Sequence, residues 1–333
     1  MPEEHIMFEQ KIETLNGSRD DLNTWIYRCK DNGIIMREAE FYSNKPGGKP
    51  VRIMQVSDLH INYLNESDLL DEELLYTKEC RKWLADGESV PGIQKVISCA
   101  SEYDQTVITG DTLDFLSNGG IELMQKYIWD VEPETLIALG GHDLTKNMQT
   151  NRPDKLPLSE RYEILKKAWK HDIFYVSKVL EEKVMLIVLD NGNHSYREEQ
   201  AWKLERDIII AREKGYIILI FQHEPICTGN PDDSKKECIR EYDGKYRNFY
   251  DRCVGFQAPE GSATQKVYCL LTENADVIKA FFCGHNHSMF FTEVKASYRD
   301  AEGNIVETLL PQYIVTPSAY DENAGHIMKI TVW

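Results

Sequence analysis

Val51-Arg52-Ile53-Met54-Gln55-Val56-Ser57-Asp58-Leu59-His60 carries the reading of the chain. Apolar side chains dominate the first six positions, the length of a buried strand, and the run stops on a carboxylate and an imidazole two residues apart. On extended backbone, residues i and i+2 face the same way, so Asp58 and His60 can reach one metal ion. The pattern recurs. Thr106–Thr109 stops at Gly110-Asp111, and Thr135–Leu139 at Gly140-Gly141-His142-Asp143. Val184–Leu189 stops at Asp190-Asn191, and Ile217–Phe221 at Gln222-His223. Val277–Phe282 stops just before Gly284-His285-Asn286-His287. Five of the nine histidines (60, 142, 223, 285 and 287) follow such runs, which sets them apart from scattered core or capping residues.

Helical segments such as Glu198–Lys214 lie between several of these strands, which argues for a layered α/β fold. Ligands in such folds bind beyond the carboxyl ends of the strands, where these Asp and His residues cluster. The 333 residues suffice for a full core, and the 42% hydrophobic and 28% charged composition excludes disorder, collagen and coiled coil. Residues 1–50 are polar and irregular and read as an N-terminal extension to one domain over 51–333. Residues 62–90 and 226–262 read as long excursions, which either border an active site or are solvated surface. The tail from about Ile305 to Trp333 reads as closing strands.

A net charge of −17 repels phosphate backbones, so no nucleic-acid partner is expected. No apolar run has transmembrane length, and no signal peptide is apparent, so no membrane partner and a cytoplasmic location are expected. The eight cysteines include no CxxC pair and read as reduced, with Cys227, Cys238 and Cys253 the cluster to inspect if the protein is exported.

In this order, Asp58-x-His60, Gly110-Asp111-x-x-Asp114, Gly140-x-His142-Asp143, His223 and Gly284-His285-x-His287 resemble the calcineurin-like metallophosphoesterase superfamily, over about residues 51–295. Asp190 followed by Gln200-x-Trp202-x-Leu204, together with His223-x-Pro225, resembles its single-domain, purple-acid-phosphatase-like branch. The resemblance implies a four-layer αββα sandwich and two divalent metal ions (Mn, Fe, Zn or similar). It implies hydrolysis of phosphoric mono- or diesters by a metal-activated hydroxide, with a small phosphorylated substrate. Asp58, His60 and His287 would hold the first metal, Asp111 would bridge, and His223 and His285 would hold the second. His142, oriented by Asp143, would stand near the leaving group. A non-catalytic scaffold that binds a protein partner, or a nuclease, are the alternatives on the same fold, the latter disfavoured by the charge.

The chain departs from that family at two positions. Asp114 stands where the ferric enzymes carry tyrosine, so a tyrosinate-ferric centre is not expected, and Asp114 reads as a group that orients a histidine ligand. Gly141 stands where the family's asparagine binds the second metal, so that site is expected to be weak unless Asn147 or His194 fills the gap. His194 can alternatively face the substrate. His5, His171 and His326 have no functional reading.

Overall fold

The computed structural model describes residues 10–11, 25–28, 34–45, 47–81, 90–148, 154–229, 237–240, 246–248, 253–255, 258–287, 290–315, 317–319 and 325–333. Two sheets form its centre. The first has the order β1 (Gln10–Lys11), β2 (Trp25–Arg28), β3 (Ile34–Phe41), β15 (Gly325–Val332), β4 (Val51–Val56), β5 (Gln105–Thr109) and β6 (Thr135–Ala138). The second has the order β13 (Phe290–Arg299), β14 (Ile305–Ile314), β12 (Ile278–Cys283), β9 (Ile217–Gln222), β8 (Val184–Leu189) and β7 (Tyr175–Leu180). Strands β4, β5 and β6 run parallel, as do β8, β9, β12 and β14.

The sequence of β8 and β9 explains why the sheets stack. Both strands are apolar at every position but Gln222, so each has two faces to bury. Val184, Leu186 and Val188, with Ile217, Leu219 and Phe221, pack toward Val51, Ile53, Val107 and Leu136 of the first sheet. The alternate residues Met185, Ile187, Ile218 and Ile220 meet the opposite side, where α5 (Glu198–Lys214) and α6 (Ala263–Thr272) contribute Leu204, Ile208, Val267 and Leu271. On the outer side of the first sheet, α2 (Val90–Ile97), α3 (Asn118–Met124) and α4 (Leu158–Ala168) pack Ile93, Met124 and Leu165 on Met54, Ile108 and Ile137. The architecture is the expected four-layer αββα sandwich.

Ile34–Phe41, expected within an irregular extension, is instead a strand of the first sheet, parallel to β15 over its full length. Arg37, Glu38 and Glu40 hide its alternation in the sequence, although Arg37 is fully buried. The stretch 62–90 contributes α1 (Glu72–Arg81), and 226–262 contains the hairpin of β10 (Glu237–Arg240) and β11 (Tyr246–Asn248). A disulfide joins Cys227 to Cys253, which corrects the expectation of a fully reduced chain. Among the described residues, no helix is long and apolar enough to cross a membrane.

Candidate metal centre

Parallel strands from both sheets end at one edge, and the segments that leave them are tied together there. The Asp58 N–H donates to the Gly110 carbonyl (3.0 Å), the His60 N–H to the Asp111 carbonyl (2.9 Å), and the Gly284 N–H to the His223 carbonyl (2.9 Å). The His285 N–H donates to the Asp58 carboxylate (3.1 Å), which joins the two sheets at the site itself. Beneath it, the buried Gln55 amide donates to Thr109 Oγ1 and to the Cys283 carbonyl.

Asp58, His60, Asp111, His285 and His287 all adopt left-handed backbone, with φ between 44° and 69°. Non-glycine residues there are uncommon and strained, and cluster where function over-determines the geometry. Glycine is required beside them for a different reason. A Cβ at Gly284 would lie 1.9 Å from Ser57 Oγ and 2.3 Å from Asp58 Oδ2, and one at Gly140 would lie 2.1 Å from Asp111 Oδ1.

Asp58, His60, Asp111 and His287 each turn one ligand atom into a space where all four lie within 4.8 Å of one another. His287 Nε2 stands 3.3 Å from Asp58 Oδ1 and 3.2 Å from His60 Nε2. Beside them, His223 Nε2 is 3.2 Å from Asp111 Oδ2 and 3.2 Å from His285 Nδ1. The sequence-predicted six therefore meet. Asp111 is flanked on one side by His60, at 3.8 Å, and on the other by His223.

The tautomers fit a metal. His223 Nδ1 faces the Thr109 carbonyl at 2.9 Å. A carbonyl only accepts, so Nδ1 carries the proton, and the neutral ring directs its Nε2 lone pair at the Asp111 carboxylate. His60 Nδ1 faces the buried Asp114 carboxylate at 2.9 Å, which leaves Nε2 toward Asp58 and Asp111 in the same way. Acceptors directed at acceptors need a proton or a cation between them. Carboxylate with neutral imidazole is the donor set of Zn, Mn or Fe, and a partner on the second ring nitrogen is the usual support for such ligands.

The electrostatics show what happens without a cation. Burial opposes charge on His60, but hydrogen bonds to Asp114 and Asp58, with the Asp111 charge, push its pKa up to about 9. Burial likewise opposes charge on His223, and Asp111 with Asp58 pushes it up to about 10. Burial alone would raise the Asp58 carboxyl, but hydrogen bonds from His287 and His60 hold it well below the usual carboxylate range. Burial is also opposed at Asp111, chiefly by the His223 charge, and that carboxyl too is held low.

His142 and Asp143 do not act as a pair. His142 Nδ1 is 2.8 Å from the Asp114 carbonyl and 3.4 Å from its carboxylate, and the ring stands 4.7 Å from that of His60. The Asp143 carboxylate turns inward and accepts from the backbone N–H of Leu113 (2.7 Å) and of Gly140 (2.8 Å). It fixes the turn, and Asp114 orients His142. Asp114 thus serves both histidines, as the sequence suggests for one. Two of its partners were not foreseen: Arg81 at the end of α1, with Nη2 at 2.6 Å, and Asn62, with Nδ2 at 2.8 Å.

Gly141 has an ordinary helical φ of −63° and offers no ligand. Asn147, one candidate to replace it, donates instead to Glu73 (3.3 Å). His194, the other, sits beside the site, its ring 6.3 Å from that of His285. Gln200 is buried and bonds to the Phe174 and Asp190 carbonyls (2.8 and 2.7 Å), so that sequence feature braces the ends of the second sheet, while Trp202 is exposed.

Fold and site together define a four-layer α/β sandwich with a buried cluster of Asp and His at the strand ends. No family model and no curated protein matches the chain. Solved structures do. A dimetal phosphatase from Danio rerio is 11% identical, over 81% of this chain and 88% of that one, with a TM-score of 0.42. A purple acid phosphatase from yellow lupin (Lupinus luteus) seeds is 13% identical, over 92% and 48%, at 0.41. A putative 5'-nucleotidase from Staphylococcus aureus is 13% identical, over 80% and 55%, at 0.36.

Proposed function

We propose that the protein is a metal-dependent hydrolase of phosphoric esters that works with two divalent ions. The observation that carries this reading is the grouping of Asp58, Asp111, His60 and His287 at the edge where both sheets end, with His223 3.2 Å from Asp111 and His285 3.2 Å from His223, and with His60 and His223 fixed in the ligand tautomer. Asp58, His60 and His287 would hold the first ion and His223 and His285 the second, with Asp111 shared by the two sets of residues. When bound, the ions supply charge neutralisation for the phosphoryl group and an activated water. The other groups are the chain's own. Asp111 Oδ1 accepts the backbone N–H of His142 (2.9 Å), which fixes the 140–142 turn to the centre. With Nδ1 directed at the Asp114 carbonyl, His142 presents Nε2 from a partly exposed ring, where it can give a proton to a departing oxygen.

A small phosphorylated substrate suits this reading, and the net charge of −17 weighs against nucleic acid. A cytoplasmic location fits less well, because a reducing compartment disfavours the Cys227–Cys253 bond.

Turnover of an aryl phosphate should vanish on chelation and return with added Mn or Zn. His142→Ala should slow esters with poor leaving groups about 10²–10⁴-fold, and activated aryl esters much less. Equal losses would remove His142 from that role. A metal-loaded protein that cleaves no phosphoric ester contradicts the reading and favours the scaffold alternative.

A further inference from the structure

We infer that His194, held by Glu224, completes the second metal site in place of the side chain that Gly141 lacks. This inference rests on the dinuclear reading above. His194 Nδ1 meets Glu224 Oε1 at 2.7 Å. The Glu224 side chain is 1% exposed, and among the described residues its carboxylate has no other ion-pair partner. A carboxylate beside Nδ1 favours the proton on that nitrogen, the tautomer in which Nε2 is the metal-binding atom.

The His194 side chain is 71% exposed, and three further observations relate it to the ligands. Its φ is 53°, and among the described non-glycine residues with left-handed φ, only Glu181 and Glu182 lie away from the site. Its ring meets the His285 ring edge-on at 6.3 Å, and His285 is one of the residues proposed above for the second ion. Its loop is packed against the turn that carries Gly141. A Cβ at Gly192 would lie 2.6 Å from the Gly140 carbonyl carbon, and one at Gly141 would lie 3.2 Å from the Gly192 carbonyl oxygen.

The loop is also held in place. The Asn191 amide donates to the Glu224 carbonyl (2.8 Å) and accepts the Glu224 N–H (3.0 Å), while the Tyr196 hydroxyl donates to Gln222 (2.8 Å). His194 is therefore tied to the segment that supplies His223. On this inference the second site has a third imidazole, beside those of His223 and His285, in place of the side chain that Gly141 lacks.

The test is Mn²⁺ binding by equilibrium dialysis, with the electron paramagnetic resonance signature of a coupled ion pair as a second readout. The unmodified protein should bind two ions. His194→Ala should weaken one of them about 10–100-fold and leave the other unchanged, with the coupled signal replaced by that of a single ion. Glu224→Gln, which keeps the shape of the side chain, should shift the same ion in the same direction and carries the test if His194→Ala does not fold. Gly141→Asn in the His194→Ala background should recover part of the loss, since φ at 141 suits any residue and the Gly192 carbonyl, 3.2 Å from the added Cβ, need shift only slightly. Two ions bound equally well by all variants would overturn this inference and leave the hydrolase reading intact. A single ion in the unmodified protein would also overturn it. No ion at all would overturn the hydrolase reading itself.

Discussion

At the scale of single residues, the site depends on atoms that are missing. Gly284 lets β12 end against Ser57 and Asp58, where one methyl group would overlap both. Gly284→Ala should therefore cost about 1–3 kcal/mol of folding stability and displace Asp58, with loss of bound metal. Denaturant unfolding and metal analysis of the variant check this; unchanged values in both would show that the strand ends are looser than described.

Protons are the second matter at this scale. His60 and His223, held at about 9 and 10, carry protons at pH 7 when no cation is present. Metal ligands must be neutral imidazoles, so loading at pH 7 should expel one proton from each, and affinity should climb with pH until about 10. Asp58 and Asp111, already ionised, release none. Calorimetry in buffers of different ionisation enthalpy measures the count. Binding that releases no protons, with affinity flat from pH 6 to 9, would contradict these assignments.

At the scale of elements, the end of β8 offers a separate test. Burial raises Asp190 from 3.8 to about 7, against the hydrogen bond from the Gly192 N–H. A carboxyl raised on folding contributes stability that is complete below about pH 4 and is lost as pH rises through 7. The loss should be on the order of a few kcal/mol. Asp190→Asn should flatten that fall while keeping the Gly192 contact; an unchanged profile of stability against pH would show that Asp190 is ionised throughout. The strands themselves were legible because an apolar run that ends on Asp or His leaves a local mark. Helix α5 was equally plain, and the structure gives it the same bounds. Strand β3 was not, since charged side chains lie within it and its partner β15 is far away in sequence. For the same reason Arg81 and Glu224 were missed: neighbours 33 and 30 residues distant leave no pattern. The resemblance puts Asp143 on His142, but the turn sends the carboxylate inward.

At the scale of the whole molecule, Cys227–Cys253 joins residues 26 positions apart, on either side of the β10–β11 hairpin. Pairing could not be read from eight cysteines without a framework spacing. With one bond among eight, no more than six thiols should titrate in denatured, unreduced protein, and a peptide joining Cys227 to Cys253 should be recoverable. Eight free thiols would show that the bond does not form.

The sandwich and the centre stand or fall together, because the ligands come from both sheets and Asp58 is bonded across them to His285. Elemental analysis of freshly purified, chelator-free protein tests this claim most directly. The account predicts bound transition metal, lost on dialysis against chelator and restored by Mn, Fe or Zn, and diminished by Asp111→Asn. Protein that holds no such metal and takes up none when it is supplied would contradict it.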